Sequence, residues 1–437
     1  MIQFPSDFVW GAATASYQIE GAVEADGRVP SIWDTFCATP GKVENGDSGA
    51  VACDHYHRYK DDVALMKELG LKAYRFSIAW GRVLNGRTVN QAGLDFYSNL
   101  VDELLSAGIE PWVTLYHWDL PQTLQDVGGW TNRAIVDEFL YYADVVTKAL
   151  GDRVKRWITF NEPWVFTYLG YASGVHAPGI THIPDYLSSA HHFLLAHAKS
   201  VPIIRANSSD SLVGVTLDMT QPEGDERAAE RLRALHNGWF LDPIYFGHYP
   251  AEVVEIYEQA GYMPEIQPGD MEAIHGKPDF LGINYYTRQT IEADESDPVM
   301  LSRPVHMDES EYTEMGWEVA PESIYRMLKH NNERYNPGAM VITENGAAFQ
   351  DVVSADGQVH DDRRVAYYNG YLTNCQRAIS EGVPLMGYFA WSLMDNFEWS
   401  FGYSKRFGLI HVDYETQQRI PKDSARWYSQ VIKNNGF

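Results

Sequence analysis

Eight segments rich in β-branched and aromatic residues alternate with amphipathic helical segments along the whole of this 437-residue chain. The predicted strands cover residues 8–13, 73–80, 111–116, 157–160, 212–217, 279–286, 339–343 and 385–391. The helices are expected at residues 59–69, 94–107, 133–150, 186–207, 226–240, 321–335, 362–380 and 424–433. Such alternation produces a parallel sheet covered by helices. With no linker or repeat in between, it predicts an α/β fold: a single (β/α)8 TIM barrel over residues 1–437, one domain with long βα loops.

Two of the predicted strands end in a carboxylate. The strand at 157–160 stops at Asn161 and Glu162, because Pro163 cannot donate to a sheet ladder. The strand at 339–343 runs directly into Glu344. Either Glu alone is equally well explained as an ordinary exposed residue at a strand end. Both together, at the barrel face that carries catalysis, are the minimum apparatus for cleaving a glycosidic bond, with a carboxyl separation of about 5–5.5 Å if configuration is retained.

Other residues with polar groups lie in or just after the predicted strands and are expected to meet at the same face. They are Gln18, Arg75, His117, Asn161, Asn284, Tyr286, Glu398 and Trp399. Arg75 lies inside an apolar run and is expected to have a carboxylate partner. Neutral donors and acceptors around two carboxylates suit a polyhydroxylated, uncharged substrate. No phosphate-binding glycine loop, nucleophile elbow or metal triad is recognisable, so no cofactor and no metal are expected.

The amino-acid composition limits the kinds of molecule that the protein is expected to bind. The net charge of −25, from 59 acidic and 34 basic residues, argues against nucleic acid and anionic membrane surfaces. The 13 Trp and 27 Tyr can stack on sugar rings, although most must fill the core or surface. Three cysteines are too few and too scattered for a disulfide framework or a zinc site. The histidines at 55, 57, 191, 192 and 197 lack metal-ligand spacing and are expected to be structural.

The first residues contain no basic segment followed by a long apolar run, and no membrane span is recognisable. A reducing, cytoplasmic location is therefore expected.

Residues 287–318 form a long acidic insertion without a clear helix or strand pattern. Such a loop is usually a functional lid or disordered. The sequence does not distinguish a monomer from a dimer.

Three stretches carry a resemblance to a known family: Thr159-Phe160-Asn161-Glu162-Pro163, Ile342-Thr343-Glu344-Asn345-Gly346, and residues 8–21. They resemble glycoside hydrolase family 1, the β-glucosidase family, and the similarity extends from Phe4 to about Tyr428. The resemblance implies a retaining β-glucosidase that acts on a small-molecule β-glucoside. Glu162 is then the general acid/base and Glu344 the nucleophile.

The resemblance also implies roles for the surrounding residues. The nonreducing sugar is expected to contact Gln18, His117, Trp118, Asn161, Tyr286, Trp391, Glu398, Trp399 and Phe407. Arg75 and Asn284 support this set, and Arg75 and Tyr286 are expected to contact Glu344. Trp164 and Leu169 are expected to line the aglycone entrance and to restrict product glucose there, or else simply to pack their loop. Gly81 before Arg82 departs from the commoner family pattern, and the chain is short for the family.

Some alternatives stay open. β-Galactosides and β-fucosides compete with β-glucosides as substrates of the same site. A 6-phospho-β-glycosidase is disfavoured, because similar proteins of that kind carry Ser at the position of Glu398 and Tyr at that of Phe407. A carboxylate at Glu398 repels a phosphate. A noncatalytic sugar-binding protein is expected to lack one of the two glutamates, and this chain has both.

Overall fold

The structure is a computed structural model that describes residues 2–437. Its centre is a closed barrel of eight parallel strands. They are β1 (Val9–Ala13), β2 (Ala73–Ser77), β3 (Glu110–Tyr116), β4 (Arg156–Asn161), β5 (Leu212–Asp218), β6 (Phe280–Asn284), β7 (Met340–Asn345) and β8 (Leu385–Trp391). Each strand pairs with the next along the chain, and β8 closes the barrel against β1. The predicted (β/α)8 fold is confirmed.

Helices surround the barrel. The longer ones are α1 (His55–Glu68), α2 (Gln91–Ser106), α3 (Ile135–Leu150), α4 (Ile183–Asn207), α5 (Glu226–Arg233), α6 (Trp239–Phe246), α7 (Ala251–Gln259), α8 (Glu322–Tyr335), α9 (Asp362–Ser380) and α10 (Asp423–Asn434). Helical turns occupy Ser16–Ile19, Ile32–Ala38, Glu44–Gly46, Trp80–Val83, Gln122–Gln125, Gly129–Thr131, Val165–Leu169, Ala234–Gly238, Asp270–Ile274 and Trp399–Phe401. None of the helices within residues 2–437 combines the length and the apolar character that crossing a membrane requires.

The helices pack on the barrel through apolar stripes. In α3 the residues Ile135, Phe139, Tyr142 and Val146 recur every three or four positions and are buried. This spacing places them on one face of an α-helix, so burial of that face against the strands stabilises the helix. The same periodicity led to the prediction of a helix at 133–150.

Aromatic side chains fill the barrel interior. The ring of Trp112 lies 5.3 Å from that of Phe280 and 5.0 Å from that of Phe389, between ring centroids. Glycines on the adjacent strands make room for the rings. A Cβ at Gly11 would lie 2.4 Å from Phe389, and one at Gly214 would lie 2.5 Å from Phe280. The barrel is therefore a packed core rather than a channel.

The insertion at 287–318 contains regular structure that the sequence did not reveal. Gln289–Ala293 pairs antiparallel with Ser302–Pro304 and parallel with Pro222–Gly224. Ile291 is buried against Ala228, Ala229 and Leu232 of α5. The expectation of an irregular loop was wrong, because this small sheet depends on a partner far away in sequence. The remaining short strands are Leu84–Asn85, Thr88–Val89, Ile410–Val412 and Arg419–Pro421.

Three predicted barrel strands have carboxyl ends that differ from the structure by two residues or more. β2 stops at Ser77 rather than residue 80, because the chain turns into the helix Trp80–Val83. β6 ends at Asn284 rather than residue 286, whereas β7 continues to Asn345 and includes Glu344. The differences leave the polar residues at the same barrel face.

Candidate active site

A pocket of about 740 Å³ opens at the carboxyl ends of the barrel strands. Twelve of the predicted site residues line it: His117, Trp118, Glu162, Trp164, Leu169, Asn284, Tyr286, Glu344, Trp391, Glu398, Trp399 and Phe407. The other three, Gln18, Arg75 and Asn161, are fully buried and contact lining residues through hydrogen bonds. The structure thus brings together all of the predicted set.

Glu344 is held at both oxygens. Arg75 donates from Nη1 to Oε1 at 2.5 Å, and the hydroxyl of Tyr286 donates to Oε2 at 2.6 Å. Arg75 is completely buried, as its position inside strand β2 requires. The cation and the phenol fix the direction of the carboxylate and leave it as an acceptor only.

Glu162 is presented by an irregular strand end. The pairing of β4 with β5 shifts register between Ile158 and Asn161, and Glu162 has a positive φ of 50°. Its backbone nitrogen donates to Thr216 at 2.9 Å, which secures the turn. Asn284 donates from Nδ2 to Glu162 Oε1 at 2.7 Å. Register irregularities of this kind re-aim a side chain beside an active site.

Asn161 connects the two carboxyl groups through its amide. Its Oδ1 accepts from Arg75 at 2.5 Å and from Asn284 at 3.0 Å. Its Nδ2 faces His117 Nε2 at 3.0 Å, so that ring nitrogen is an acceptor and the hydrogen of a neutral imidazole resides on Nδ1. Burial and the nearby Arg75 lower the pKa of His117 well below its ordinary value. The side chains around both carboxyls therefore form one rigid network.

The two carboxyl groups have unequal environments. Burial, the charge of Glu344 and the charge of Asp218 raise the pKa of Glu162 well above its ordinary value. Burial also raises the pKa of Glu344, but Arg75 and the hydroxyl of Tyr286 oppose that rise. Glu162 consequently holds its proton to a higher pH than Glu344. Burial is the largest cause of the raised pKa of both groups, and the contacts of Glu344 with Arg75 and Tyr286 set the two apart.

The inner end of the pocket offers unpaired polar atoms. Gln18 donates from Nε2 to the carbonyl oxygen of Phe397 at 2.8 Å and lies 3.4 Å from Glu398 Oε2. Gln18 Oε1 and His117 Nδ1 are buried and have no hydrogen-bond partner among residues 2–437. Burial and the charge of Glu344 raise the pKa of Glu398 to about 8. Buried groups without partners are poised to bond a ligand rich in hydroxyls.

Aromatic rings form the pocket wall. The rings of Trp118 and Trp399 lie 4.5 Å apart between centroids, and those of His117 and Trp391 lie 6.1 Å apart at an interplanar angle of 21°. Trp118 donates from Nε1 to the carbonyl oxygen of Asn161 at 2.9 Å, which couples the wall to the polar network. Flat apolar faces beside hydrogen-bonding groups are suited to sugar rings.

The outer part of the pocket includes Trp164, which precedes the turn Val165–Leu169, and Leu169, which ends it. Both side chains are half-buried. The ring of Trp164 stacks between Tyr168 at 4.7 Å and His236 at 4.2 Å. Trp164 therefore packs its loop and also lines the pocket.

Sequence reasoning missed several lining residues. They include Asp218, His236, Arg288, Trp317 and Glu318. Asp218 ends strand β5, so the rule that identified Glu162 could have identified it as well. His236 is in the helical turn after α5, and nothing in its local sequence indicates that it faces the pocket.

Histidines elsewhere in the barrel are structural. His191 bonds Tyr249 and Asp270, and His197 bonds Thr159 at 2.8 Å. His55 bonds Asp62 at 2.8 Å. Within residues 2–437 no group of three or more His, Cys, Asp or Glu side chains is arranged to hold a metal ion.

A parallel barrel that presents two buried carboxyl groups of unequal acidity in an aromatic pocket defines the glycoside hydrolase class of enzyme. Comparison with known proteins agrees. The family model described as Glycosyl hydrolase family 1 matches residues 1–437. The chain therefore belongs to glycosyl hydrolase family 1, and the predicted resemblance is confirmed.

Individual relatives are similar over their full length. Beta-glucosidase A of Thermotoga maritima is 51% identical, with 100% of this chain and 99% of that protein covered. A 1,4-beta-D-glucan glucohydrolase of Thermotoga neapolitana is 50% identical, with 100% of both chains covered. Among solved structures, a family 1 β-glucosidase from Thermotoga maritima superimposes with a TM-score of 0.97, 50% identity and 100% coverage of both chains.

Proposed function

We propose that this chain is a retaining β-glucosidase. It removes terminal nonreducing β-D-glucosyl residues from cellobiose, short cello-oligosaccharides and aryl or alkyl β-glucosides. The observation that carries the proposal is the pair Glu162 and Glu344, which share one pocket and one hydrogen-bond network but differ in acidity. The names of the relatives from Thermotoga support the same activity.

In the first half of the reaction the Oε atom of Glu344 attacks the anomeric carbon. Glu162 gives its proton to the glycosidic oxygen, the bond between that oxygen and the anomeric carbon breaks, and the aglycone leaves as an alcohol. Arg75 and Tyr286 hold the attacking carboxylate in one orientation, at 2.5 and 2.6 Å. A fixed nucleophile reduces the entropy that must be lost on reaching the transition state.

In the second half water hydrolyses the glycosyl ester. The negative charge of Glu344 is one of the causes that raise the pKa of Glu162, and esterification removes that charge. Glu162 therefore releases its proton more easily and can take one from the attacking water. This double displacement requires a carboxyl separation of about 5–5.5 Å between Glu162 and Glu344, which remains a prediction.

The glycone is proposed to be glucose, with galactose and fucose as alternates. Glu398 is suited to accept two hydrogen bonds from O4 and O6 of the sugar, a geometry that either O4 epimer can meet. A Bifidobacterium breve relative, 44% identical, is a bifunctional β-D-glucosidase/β-D-fucosidase. The Thermotoga maritima enzyme has been solved with galacto-hydroximolactam. Measuring the cleavage rates of aryl β-glucosides, β-galactosides and β-fucosides would rank the three sugars as substrates.

A 6-phosphoglycoside fits this pocket poorly. Within residues 2–437 no salt bridge reaches Glu398, and the charge that most affects it is the negative one of Glu344. Phe407 has no hydroxyl to donate to a phosphate. A marked preference for 6-phosphoglucosides over glucosides would contradict the proposal.

The setting is proposed to be the cytoplasm, with residues 1–437 acting as one catalytic domain. All three cysteines are buried and free, which agrees with a reducing compartment. The site combines residues from Gln18 to Phe407, so most of the chain contributes to it.

The assignment of Glu344 can be tested with azide. Glu344→Gln should lower kcat for an aryl β-glucoside on the order of 10⁴-fold or more, since the covalent step disappears. In Glu344→Gly, azide should restore activity by entering the vacated space and should yield the α-configured glucosyl azide. A rescued product of β configuration would show that Glu344 is not the nucleophile. Circular dichroism of each variant serves as the folding control.

A further inference from the structure

A third carboxylate, Asp218, faces the pocket beside Glu162 and has no part in the steps above. It is the last residue of β5, the strand next to β4. Asn161 pairs with Thr216 across these two strands, and Glu162 donates its backbone N–H to Thr216 at 2.9 Å. Asp218 and Glu162 therefore leave neighbouring strands at the same end of the barrel.

His236 holds Asp218 in place. Its Nε2 lies 2.7 Å from Asp218 Oδ2, and because an ionised carboxylate can only accept, that nitrogen carries the hydrogen. The imidazole is itself fixed by stacking on Trp164, with ring centroids 4.2 Å apart and an interplanar angle of 23°. Asp218 Oδ1 is buried without a hydrogen-bond partner among residues 2–437. No Lys or Arg in that range forms a salt bridge with it.

We propose that Asp218, clamped by His236, is a positioning residue whose negative charge keeps the carboxyl of Glu162 protonated until the leaving oxygen takes the proton. The proposal rests on the acid/base role of Glu162 in the proposed function. Asp218 forms and breaks no bond. It acts on the reaction through Glu162 alone.

The charges around Glu162 support this assignment. Arg75 lies behind the pocket, and the titratable groups that line it with Glu162 are His117, His176, Asp218, His236, Tyr286, Arg288, His306, Tyr312, Glu318, Glu344 and Glu398. Arg75 favours the ionised form of Glu162, whereas Glu344 and Asp218 oppose it. His117 is buried and neutral. Of the two opposing anions, Glu344 already has a positive partner in Arg75, while Asp218 is paired only with an imidazole.

The charge of Asp218 matters most in the covalent intermediate. There Glu344 is an ester and no longer repels a negative Glu162. With that charge gone, Asp218 is the other carboxylate whose charge raises the pKa of Glu162. It therefore limits how far the basicity of Glu162 falls, and Glu162 stays basic enough to take a proton from water.

Asp218→Asn tests the proposal with little structural change, because the amide oxygen can still accept from His236 Nε2. The alkaline limb of the pH profile of kcat/KM, measured with a poor-leaving-group β-glucoside, reports Glu162 in the free enzyme. It should move to lower pH by about 0.5 unit or more, because the anion that disfavours ionisation is gone. The acid limb, which reports Glu344, should move less. Asp218→Ala should move the alkaline limb by the same amount.

Asp102→Asn is the matched control. Asp102 lies on α2, pairs with Arg153 and has a side chain that is 59% exposed, so its substitution removes the same formal charge far from the pocket. This variant should leave both limbs in place. An equal shift in Asp102→Asn would assign the effect to net charge and overturn the proposal.

A titration that does not depend on turnover completes the test. The carboxyl carbon of Glu162 can be followed by ¹³C NMR in the unliganded enzyme, with Glu162→Gln to assign the signal. Its midpoint should fall in Asp218→Asn as the limb does. The proposal would be contradicted if the midpoint of the Glu162 titration did not move in Asp218→Asn. It would also be contradicted if only Asp218→Ala shifted the alkaline limb, or if the variants raised KM without shifting that limb. If the parent cleaves no β-glucoside and the midpoint still falls, the coupling stands and the proposed function fails.

Discussion

The barrel contains two buried clusters of ionisable side chains that differ in how their charges are balanced. The catalytic cluster has four carboxyls and one contacting cation: Glu162, Asp218, Glu344, Glu398 and Arg75. The anchor cluster, behind the loop that follows β8, has three cations and three carboxylates: Arg364, Arg406, Lys422, Asp351, Asp361 and Asp395. The same chemical groups are proposed to serve proton transfer in the catalytic cluster, whereas in the anchor cluster they hold the structure together.

Every charge in the anchor cluster has a close partner. Lys422 Nζ lies 2.5 Å from Asp351 Oδ2 and 2.7 Å from Asp395 Oδ1. Arg406 contacts Asp395 at 2.7 Å, and Arg364 contacts Asp351 at 2.8 Å. Although burial favours the neutral carboxyl, Lys422 and Arg406 hold the pKa of Asp395 below its ordinary value. These mutual contacts hold the side chains of the cluster in fixed positions.

The catalytic cluster shows the opposite behaviour, because burial favours the neutral form of its carboxyls and one cation does not offset that for all four. The pKa values of Glu162, Glu344 and Glu398 are all raised. These carboxyls therefore hold their protons to a higher pH than ordinary ones, a property suited to acid/base chemistry. The clusters are linked by the segment from Asp395 to Glu398, whose Phe397 carbonyl accepts from Gln18. The anchor cluster thus fixes the chain that carries Glu398.

The largest expected effect comes from breaking the balanced cluster. Asp395→Asn should destabilise the fold by about 3–5 kcal/mol, because Lys422 and Arg406 lose a buried counter-charge. The loss should be complete at neutral pH, since a carboxylate with a lowered pKa stabilises the fold above its unfolded pKa and ceases to do so as pH falls. Denaturant unfolding measures it. Asp102→Asn, which breaks an exposed pair, should change stability little.

The catalytic cluster should respond in the opposite direction. Glu162→Gln should lower kcat/KM for substrates with poor leaving groups by about 10²–10⁴-fold, and much less for a dinitrophenyl glucoside that needs no proton. Its melting temperature should nevertheless exceed that of the parent at about pH 8 and match it at about pH 4. The raised pKa of Glu162 means that stability is lost as pH rises above the unfolded value, and Gln removes that loss. If Glu162→Gln melted at a lower temperature than the parent at about pH 8, the contrast between the two clusters would be wrong.

A smaller effect is expected at Glu398, because burial and the charge of Glu344 raise its pKa to about 8. Sugar hydroxyls donate to the ionised form, so glucose should bind more tightly as pH rises toward 8. Glu398→Gln should weaken glucose binding roughly 10–100-fold, the range for a hydrogen bond to a charged group. It should also abolish the pH dependence of the inhibition constant. If that dependence persists in the variant, another group is responsible for it.

The two clusters also differ in how well they could be predicted from the sequence. Glu162 and Glu344 were predictable because an apolar strand that ends in a polar residue places it at the catalytic face of a barrel. The anchor cluster was not predictable, since Lys422 lies 71 positions from Asp351 and 27 from Asp395. The sheet that pairs Gln289–Ala293 with Pro222–Gly224 was missed for the same reason. Such pairings depend on tertiary contacts that local periodicity does not encode. That the chain is a single domain stays a prediction.

The smallest expected effect lies in the uncharged outer wall of the pocket. Leu169 lines the pocket and is half-buried at the end of the turn Val165–Leu169. If its side chain narrows the product path, Leu169→Ala should lower the inhibition constant for glucose a few-fold and cost little stability. Trp164→Ala is a less direct test, because Trp164 also stacks on His236 and so supports Asp218.

Leu195→Ala provides the matched comparison for Leu169, since Leu195 is fully buried on α4 and does not line the pocket. It removes the same atoms and should cost about 2–5 kcal/mol of stability, because it leaves a cavity in the core, while glucose inhibition stays unchanged. Leu169→Ala should show the reverse. Steady-state inhibition by glucose and thermal melting, measured on both variants, separate the two roles. A Leu169 variant that loses stability as Leu195→Ala does, with an unchanged inhibition constant, would assign Leu169 to packing alone.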